Sequence, residues 1–227
     1  MSSVVVAVDG TSGSGKSSTS RGVASRLGLR YLDTGAQFRA MTWWLLEQDV
    51  DVRDAAAVAA RCDEPAIESG TDPASPTISV DGHDVAAAIR TAAVTAAVSP
   101  VSTVPQVRTR LLALQRSIID RSLEQGGIVV EGRDIGSVVW PQAEVKVYLT
   151  ADAAARAHRR TAEHAHLGDA AATRAQLLER DRIDSGRATA PLTMAEGAVH
   201  LDTTDLTLEE AVDHVVALVE TAGSRSR

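Results

Sequence analysis

The sequence predicts an α/β protein with a doubly wound parallel sheet in three layers. A continuous apolar run at residues 4–8 ends in a glycine-rich loop, and similar short runs recur at 128–130 and 145–149. Segments with helical periodicity separate these runs. Alternating buried strands and helices are typical of a parallel sheet with crossover helices on both faces.

Length and charge narrow the classes of function. With 227 residues the chain can form one substantial core, so we expect a single domain, 1–227. The net charge of −7 argues against a nucleic-acid surface or an anionic membrane as partner. The single cysteine, Cys62, excludes an intramolecular disulfide and is expected in the core. Without a basic leader or a run near ~20 apolar residues, we expect a soluble, cytoplasmic protein. We also expect a monomer.

The first unit carries the strongest motif. Residues 4–8 predict a buried strand, and Gly10 to Ser17 follow with the spacing G-x-x-x-x-G-K-S of a P-loop. A helix is expected behind it, ending at Gly28. The glycines let backbone N–H groups surround phosphate oxygens, and Lys16 adds a mobile positive charge. This pattern predicts a site for a nucleoside triphosphate, with the Ser17 hydroxyl placed to ligate Mg²⁺.

The next unit predicts a strand at 30–32 and an amphipathic helix that Thr34 or Gly35 caps. Arg39 falls in the first turns of this helix. A cation near the positive end of a helix is unfavourable, so Arg39 either meets an anion or is a solvated surface residue. A second, alanine-rich helix is expected at 52–61.

The segment 63–85 predicts a small β insert of two or three short strands, with a hairpin turn at Asp81 and Gly82. Helices are then expected at 85–99 and 104–125. An isolated serine or arginine near the joint between them would ordinarily be a surface residue.

Charge appears abruptly after the strand at 128–130, at Glu131, Arg133 and Asp134. Functional groups in open α/β sheets gather at the carboxyl ends of strands. Glu131 occupies the place where P-loop enzymes keep the carboxylate that holds the water shell of the metal. The alternative is that Glu131 pairs with an arginine.

Two later segments carry clustered charges, and the segment between them is suited to a mobile lid. The clusters are Arg156, Arg159 and Arg160 on a helix at 152–166, and Arg180, Asp184 and Arg187 on the next. Like charges on one helical face repel, so either an anion lies between them or the face is solvated. The spacing of His158, His164 and His166 does not predict a metal site. A last strand at 198–201 and a helix at 207–221 complete the alternation.

Five segments together resemble those of the bacterial cytidylate kinase family of nucleoside monophosphate kinases. They are GTSGSGKSS, LDTGAQFR, IRTAAVTAAVSPVSTVPQVR, EGRDIGSVVWP and RDRIDSGRATAPL. The resemblance covers nearly the whole chain. It implies transfer of the γ-phosphoryl group of ATP to CMP or dCMP, in pyrimidine nucleotide metabolism, with Mg²⁺ as cofactor.

The resemblance also implies roles for individual residues. Those expected to bind ATP are Gly10, Thr11, Ser12, Gly13, Ser14, Gly15, Lys16, Ser17 and Ser18. Those expected to bind CMP are Thr34, Arg39, Ser99, Arg108, Arg133, Asp134, Arg180, Asp184 and Arg187. Those expected to act in catalysis are Lys16, Arg133, Arg156, Arg160 and Arg187. Ser17 is expected to ligate Mg²⁺, with Glu131 reaching the ion through water.

The resemblance also implies a division of the chain. We expect a core at 1–33 and 101–227, an acceptor-binding insertion at 34–100, and a lid at about 157–183. Phe38 stands where the family often has tyrosine, and the lost hydroxyl could weaken acceptor binding.

Two alternative functions stay open on the residues alone. A kinase of another small acceptor, such as AMP, UMP or shikimate, would share the loop and the sheet. A nucleotide-dependent switch would also use the loop, although a GTPase would need an N-K-x-D motif, which the sequence lacks. Arginines distributed over three separate elements favour acceptor chemistry over a switch.

Overall fold

A computed structural model describes residues 3–163, 170–186 and 192–225. The strands are β1 (Val4–Gly10), β2 (Arg30–Asp33), β3 (Ile67–Ser69), β4 (Ile78–Val80), β5 (His83–Asp84), β6 (Gly127–Gly132), β7 (Val145–Thr150) and β8 (Val199–Asp202). The helices are α1 (Lys16–Leu27), α2 (Thr34–Glu47), α3 (Ala55–Arg61), α4 (Ala92–Thr103), α5 (Pro105–Leu123), α6 (Ala153–Glu163), α7 (Ala170–Ser185) and α8 (Leu208–Arg225).

Five of these strands form one parallel sheet in the order β2-β6-β1-β7-β8. β1 lies in the middle, and the residues from Val5 to Val8 are fully buried. Val6 and Val8 pack in a cluster with residues of α1 and α8, whereas Val5 and Ala7 pack with residues of α5. The β-branched run is buried because helices cover both faces. The predicted doubly wound, three-layer α/β fold is confirmed.

The direction of winding changes at β1. The chain passes from β1 to β2 at one edge and returns through β6, and only later reaches β7 and β8 on the other side. In open α/β sheets such a switch point opens a crevice at the carboxyl ends of the strands. The phosphate loop follows β1 at this crevice, and the charged segment from Glu131 to Asp134 follows β6.

The insertion between β2 and α5 contains a second, antiparallel sheet in the order β3-β4-β5. Asp81 and Gly82 both have positive φ, at 51° and 78°, as the predicted hairpin turn requires. The insertion packs on its own apolar cluster, which includes Met41, Leu45 and Ile89. This second core holds α2 and α4 beside the crevice.

Several local predictions differ from the structure. The single helix expected at 85–99 is instead a 3₁₀ turn at Ala88–Arg90 followed by α4, because the Thr91 side chain caps a new helix by accepting the Val94 N–H. Neither Thr34 nor Gly35 caps α2, since the Asp33 carboxylate accepts the Ala36 N–H at 3.0 Å. No sequence pattern indicated the π-helical turn at Ile135–Val139.

Candidate active site

The phosphate loop is held in shape by its own backbone. Gly10 has φ 148°, and a Cβ placed there would lie 2.0 Å from the Leu149 carbonyl oxygen on β7. Gly13 and Gly15 have φ 78° and 85°. α1 begins at Lys16 directly after the loop, so its first N–H groups and its positive dipole end face the crevice. Such an arrangement is suited to an anion, and above all to phosphate.

A single pocket brings the two predicted substrate sets together. From the loop side its lining includes Ser12, Gly13, Lys16 and Ser17. From the opposite side its lining includes Thr34, Arg39, Ser99, Arg108, Glu131, Arg133, Asp134 and Asp184. Some described residues with a predicted role in binding or catalysis do not line the pocket, namely Gly10, Thr11, Ser14, Gly15, Ser18 and Arg156.

Lys16 rests against its own loop. Its Nζ donates to the Thr11 carbonyl oxygen at 2.6 Å, and the Ser14 hydroxyl donates to the same oxygen at 2.9 Å. This position keeps the ammonium group at the mouth of the loop, where a bound phosphate would lie.

Arg133 connects the loop to α7. Its Nε donates to Oδ2 of Asp184 at 2.8 Å, and its Nη1 donates to the Gly10 carbonyl oxygen. The side chain of Asp184 is 5% exposed and that of Arg133 is 16% exposed. An ion pair so shielded from water fixes both side chains in place. The pair is therefore presented to the pocket in one orientation.

A second ion pair joins Arg108, on α5, to Asp134, after β6. Another amine of the guanidinium donates to the Ser102 carbonyl oxygen at 3.2 Å. The guanidinium carbon of Arg108 also lies 5.5 Å from the centre of the Phe38 ring, a cation–π contact. Together these groups offer donors and an acceptor on one wall of the pocket.

Three further predicted residues lie on the wall opposite the loop. Arg39 donates to the Ile89 carbonyl oxygen at 3.2 Å and to the Thr95 hydroxyl at 3.0 Å. Thr34 donates to the Glu131 carbonyl oxygen at 2.7 Å, and Ser99 is buried in α4. The insertion thus contributes a cation and two hydroxyl groups to the pocket.

Glu131 is buried at the end of β6, where the Tyr31 hydroxyl donates to its Oε1 at 2.5 Å. Burial is the main reason why the pKa of Glu131 is raised, and the nearby Asp33 carboxylate adds to it, whereas Lys16 and the hydroxyls of Tyr31 and Ser17 oppose the rise. The Glu131 carboxylate interacts with the Ser17 hydroxyl, and together these two groups offer oxygen ligands of the kind that Mg²⁺ prefers. No sequence pattern indicated a role for Tyr31, which lies a hundred positions from Glu131 in the chain.

Asp9 is a further site residue that sequence reasoning missed. Its two carboxylate oxygens accept the N–H groups of Ile135 at 2.7 Å and of Gly136 at 2.8 Å. Burial raises the pKa of Asp9 to about 6, although these N–H groups and Lys16 oppose the rise. Through these two hydrogen bonds, the carboxyl end of β1 holds the segment that follows Arg133 and Asp134.

The described lid arginines lie on the loop side. Arg156 is 5% exposed; it donates to the Ser12 carbonyl oxygen at 3.0 Å and pairs with Asp181 of α7. Arg159 donates to the Thr203 hydroxyl at 2.9 Å and so connects α6 to the segment after β8. Outside the described parts of the chain lie Arg187 and the side chains of Arg160 and Arg180.

Among the described residues, no group of three or more His, Cys, Asp or Glu side chains could hold a metal ion. His158 is exposed on α6, while His164 and His166 fall in the undescribed segment. None of the helices, over the same ranges, has the length and apolar character to cross a bilayer.

Comparison with known proteins gives consistent similarities. The family model described as Cytidylate kinase matches residues 6–221. A cytidylate kinase from Streptomyces griseus is 57% identical over 96% of this chain and 94% of its own length. One from Streptomyces avermitilis is 56% identical over 96% of this chain and 93% of its own. Among solved structures, a gluconokinase from Sinorhizobium meliloti has a TM-score of 0.50 at 16% identity, covering 99% of this chain and 96% of its own, which indicates a shared fold.

Proposed function

Because the chain belongs to the cytidylate kinase family, we propose that it transfers the γ-phosphoryl group of ATP to CMP or dCMP, producing CDP or dCDP and ADP. One observation carries the proposal. The phosphate loop and the Arg108–Asp134 pair line the same pocket. A donor polyphosphate and an acceptor base would therefore meet in one crevice.

The acceptor wall suits a cytosine nucleotide. The Arg108 guanidinium offers donors and the Asp134 carboxylate offers an acceptor, which matches the ring carbonyl, ring nitrogen and amino group of cytosine. Asp184 would bind the pentose hydroxyls, with Arg180 behind it. Arg39, Arg133 and Arg187 would bind the acceptor phosphate, and Thr34 and Ser99 would lie beside the base.

The donor side suits ATP. The backbone of Gly10–Ser18 would surround the phosphates, and Lys16 would move from the Thr11 carbonyl to the β- and γ-phosphates. Arg156 and Arg160 would add positive charge from α6. Arg133 already contacts both the loop, at Gly10, and α7, at Asp184, so its charge lies between the two sides.

We also propose Ser17 and Glu131 as the residues that hold Mg²⁺, Ser17 directly and Glu131 through water. The hydroxyl and the carboxylate interact in the structure, and Mg²⁺ prefers oxygen ligands while keeping several of its waters. When bound, the ion would neutralise charge on the phosphates.

The reaction needs no covalent enzyme intermediate. Phosphoryl transfer between bound substrates depends mainly on positioning and on neutralising the charge that develops, and one arginine can contribute about 10³ to 10⁵ in rate. Water must be excluded, because it would compete as the acceptor. Movement of the lid and of the acceptor insertion over the substrates would exclude it.

A panel of monophosphates tests the proposal. We expect ADP release with CMP and dCMP to exceed that with AMP, GMP and UMP. An Arg108→Met variant should lose much of this preference, because it removes the donors that contact the base. A wide margin in favour of AMP would contradict the substrate assignment, and ATP hydrolysis that CMP does not stimulate would favour a nucleotide-dependent switch.

A further inference from the structure

Both backbone groups of Ser12, in the phosphate loop, are bonded to side chains of α6 and α7. The Ser12 N–H donates to Oδ1 of Asp181 at 3.0 Å. The Ser12 carbonyl oxygen accepts from Nη1 of Arg156 at 3.0 Å, and the same Nη1 donates to Oδ2 of Asp181. One ion pair therefore holds the backbone of Ser12 on both sides.

This pair is shielded from water. The side chains of Arg156 and Asp181 are 7% and 15% exposed. A pair in such a place is little screened by salt, and removing one partner leaves the other as an uncompensated charge. The next loop residue is also covered, since a Cβ on Gly13 would lie 3.3 Å from the Arg156 carbonyl oxygen and 3.6 Å from Cδ1 of Leu177.

A second pair on α7 provides a contrast. The side chains of Glu179 and Arg182 are 55% and 73% exposed and bond to each other. Exposed pairs of this kind contribute little to stability. The two pairs differ in that Arg156 and Asp181 bond to the phosphate loop, whereas Glu179 and Arg182 bond to each other on the surface.

We propose that Asp181 is a positioning residue for the phosphoryl donor. It fixes the Ser12 peptide, and it holds Arg156 against the loop, so that the neighbouring loop N–H groups keep the curvature that receives phosphate. The Nε of Arg156 is buried without a hydrogen-bond partner among the described residues, so the position of this guanidinium depends on the bonds of its Nη1 to Asp181 and Ser12. The inference rests on the proposed function, because it takes ATP as the ligand of the loop.

An Asp181→Asn variant tests the effect on ATP. The amide has nearly the same shape, but its NH₂ group cannot accept from the second donor. We expect the KM for ATP to rise about tenfold or more, the loss typical of a charge-assisted hydrogen bond, while the KM for CMP changes less than about twofold. The matched control, Glu179→Gln, should leave both KM values and kcat unchanged. An unchanged or lowered KM for ATP in Asp181→Asn would overturn the proposal.

Hydrogen exchange at the Ser12 amide tests the contact itself without substrate or turnover. It should be slow in the wild type and in Glu179→Gln, and at least about tenfold faster in Asp181→Asn. If the wild-type amide exchanges as fast as an unbonded loop amide, the proposal fails, even where the variant does not fold. A failed monophosphate panel would not affect this measurement, so the failure of the proposed function and of this inference are distinguishable.

Discussion

The phosphate-loop side of the pocket is one continuous segment that offers mainly backbone groups, whereas the opposite side is assembled from side chains on α2, α4, α5, α7 and the turn after β6. On the loop side, positive φ values at Gly13 and Gly15 fix the shape. On the acceptor side, shape depends on two ion pairs, Arg108–Asp134 and Arg133–Asp184.

This difference determines how each side tolerates change. A backbone loop loses little when a side chain that makes no bond to it is shortened, provided that its glycines and the Asp181–Arg156 pair that holds Ser12 remain. A site built from paired charges loses two groups for each one removed, because the partner is left buried and unpaired. Single substitutions on the acceptor side should therefore have large effects on activity.

The largest effect should follow Arg133→Met. Arg133 contacts Gly10 on the loop side and Asp184 on the acceptor side, so its charge lies where the phosphoryl group would be transferred. We expect kcat to fall by about 10³, with much smaller changes in the KM for ATP and CMP, since the charge acts chiefly in the transition state. Steady-state kinetics on the folded fraction of the enzyme would measure this.

Arg116→Met is a suitable control. Arg116 also donates to carbonyl oxygens, those of Val138 and Val139, both at 3.0 Å, but it does not line the pocket. Its replacement should leave kcat unchanged. If both variants lost activity equally, or if Arg133→Met raised only the KM values, the position assigned to Arg133 between the two sides would be wrong.

Asp9 joins the two sides, and its pKa makes this junction sensitive to pH. Burial raises the pKa of Asp9 from 3.8 to about 6. At a pH between these two values, Asp9 is therefore protonated in the folded state and ionised in the unfolded state. This group therefore contributes stability that is fully present below about pH 3.8 and is lost as the pH rises through about 6. About two pKa units correspond to about 3 kcal/mol.

An Asp9→Asn variant removes that dependence. The free energy of unfolding of the wild type minus that of the variant should decrease by about 3 kcal/mol between about pH 3 and about pH 7. Urea unfolding at several pH values would measure it. The exposed carboxylate Asp120, on α5, provides the control variant Asp120→Asn. A difference between wild type and Asp9→Asn that is constant with pH would show that burial does not raise the pKa of Asp9.

The contrast between the two sides also explains what the sequence could predict. The loop is local: strand, glycines, lysine and helix lie within residues 4–27, and the structure places them as predicted. The doubly wound sheet was likewise predictable, because the apolar runs of β1 and β6 are buried on both faces, although β7 alternates between buried and partly buried residues. For the acceptor side, the separate motifs indicated charge, and only the resemblance connected them.

Residues whose role depends on a distant partner gave no signal. Asp9 bonds to Ile135 and Gly136, Tyr31 to Glu131, and Asp181 to Ser12, and each pair is at least a hundred positions apart. A single acidic or aromatic residue next to a motif has no periodicity that could indicate such a contact. Local capping was missed for a related reason, since several neighbouring residues at 33–35 could each begin α2.

The smallest effect should come from Phe38, which supports an acceptor-side charge without touching its ion pair. The Phe38 ring lies 5.5 Å from the guanidinium of Arg108, and such a contact contributes about 0.5–1 kcal/mol at a partly exposed site. We therefore expect Phe38→Leu to raise the KM for CMP about two- to fivefold and to narrow the preference for CMP over UMP, while the KM for ATP stays constant. Phe38→Tyr keeps the ring and should retain the preference. Equal rises in both KM values would mean that Phe38 acts through the packing of α2 on its apolar cluster and not through its cation–π contact with Arg108.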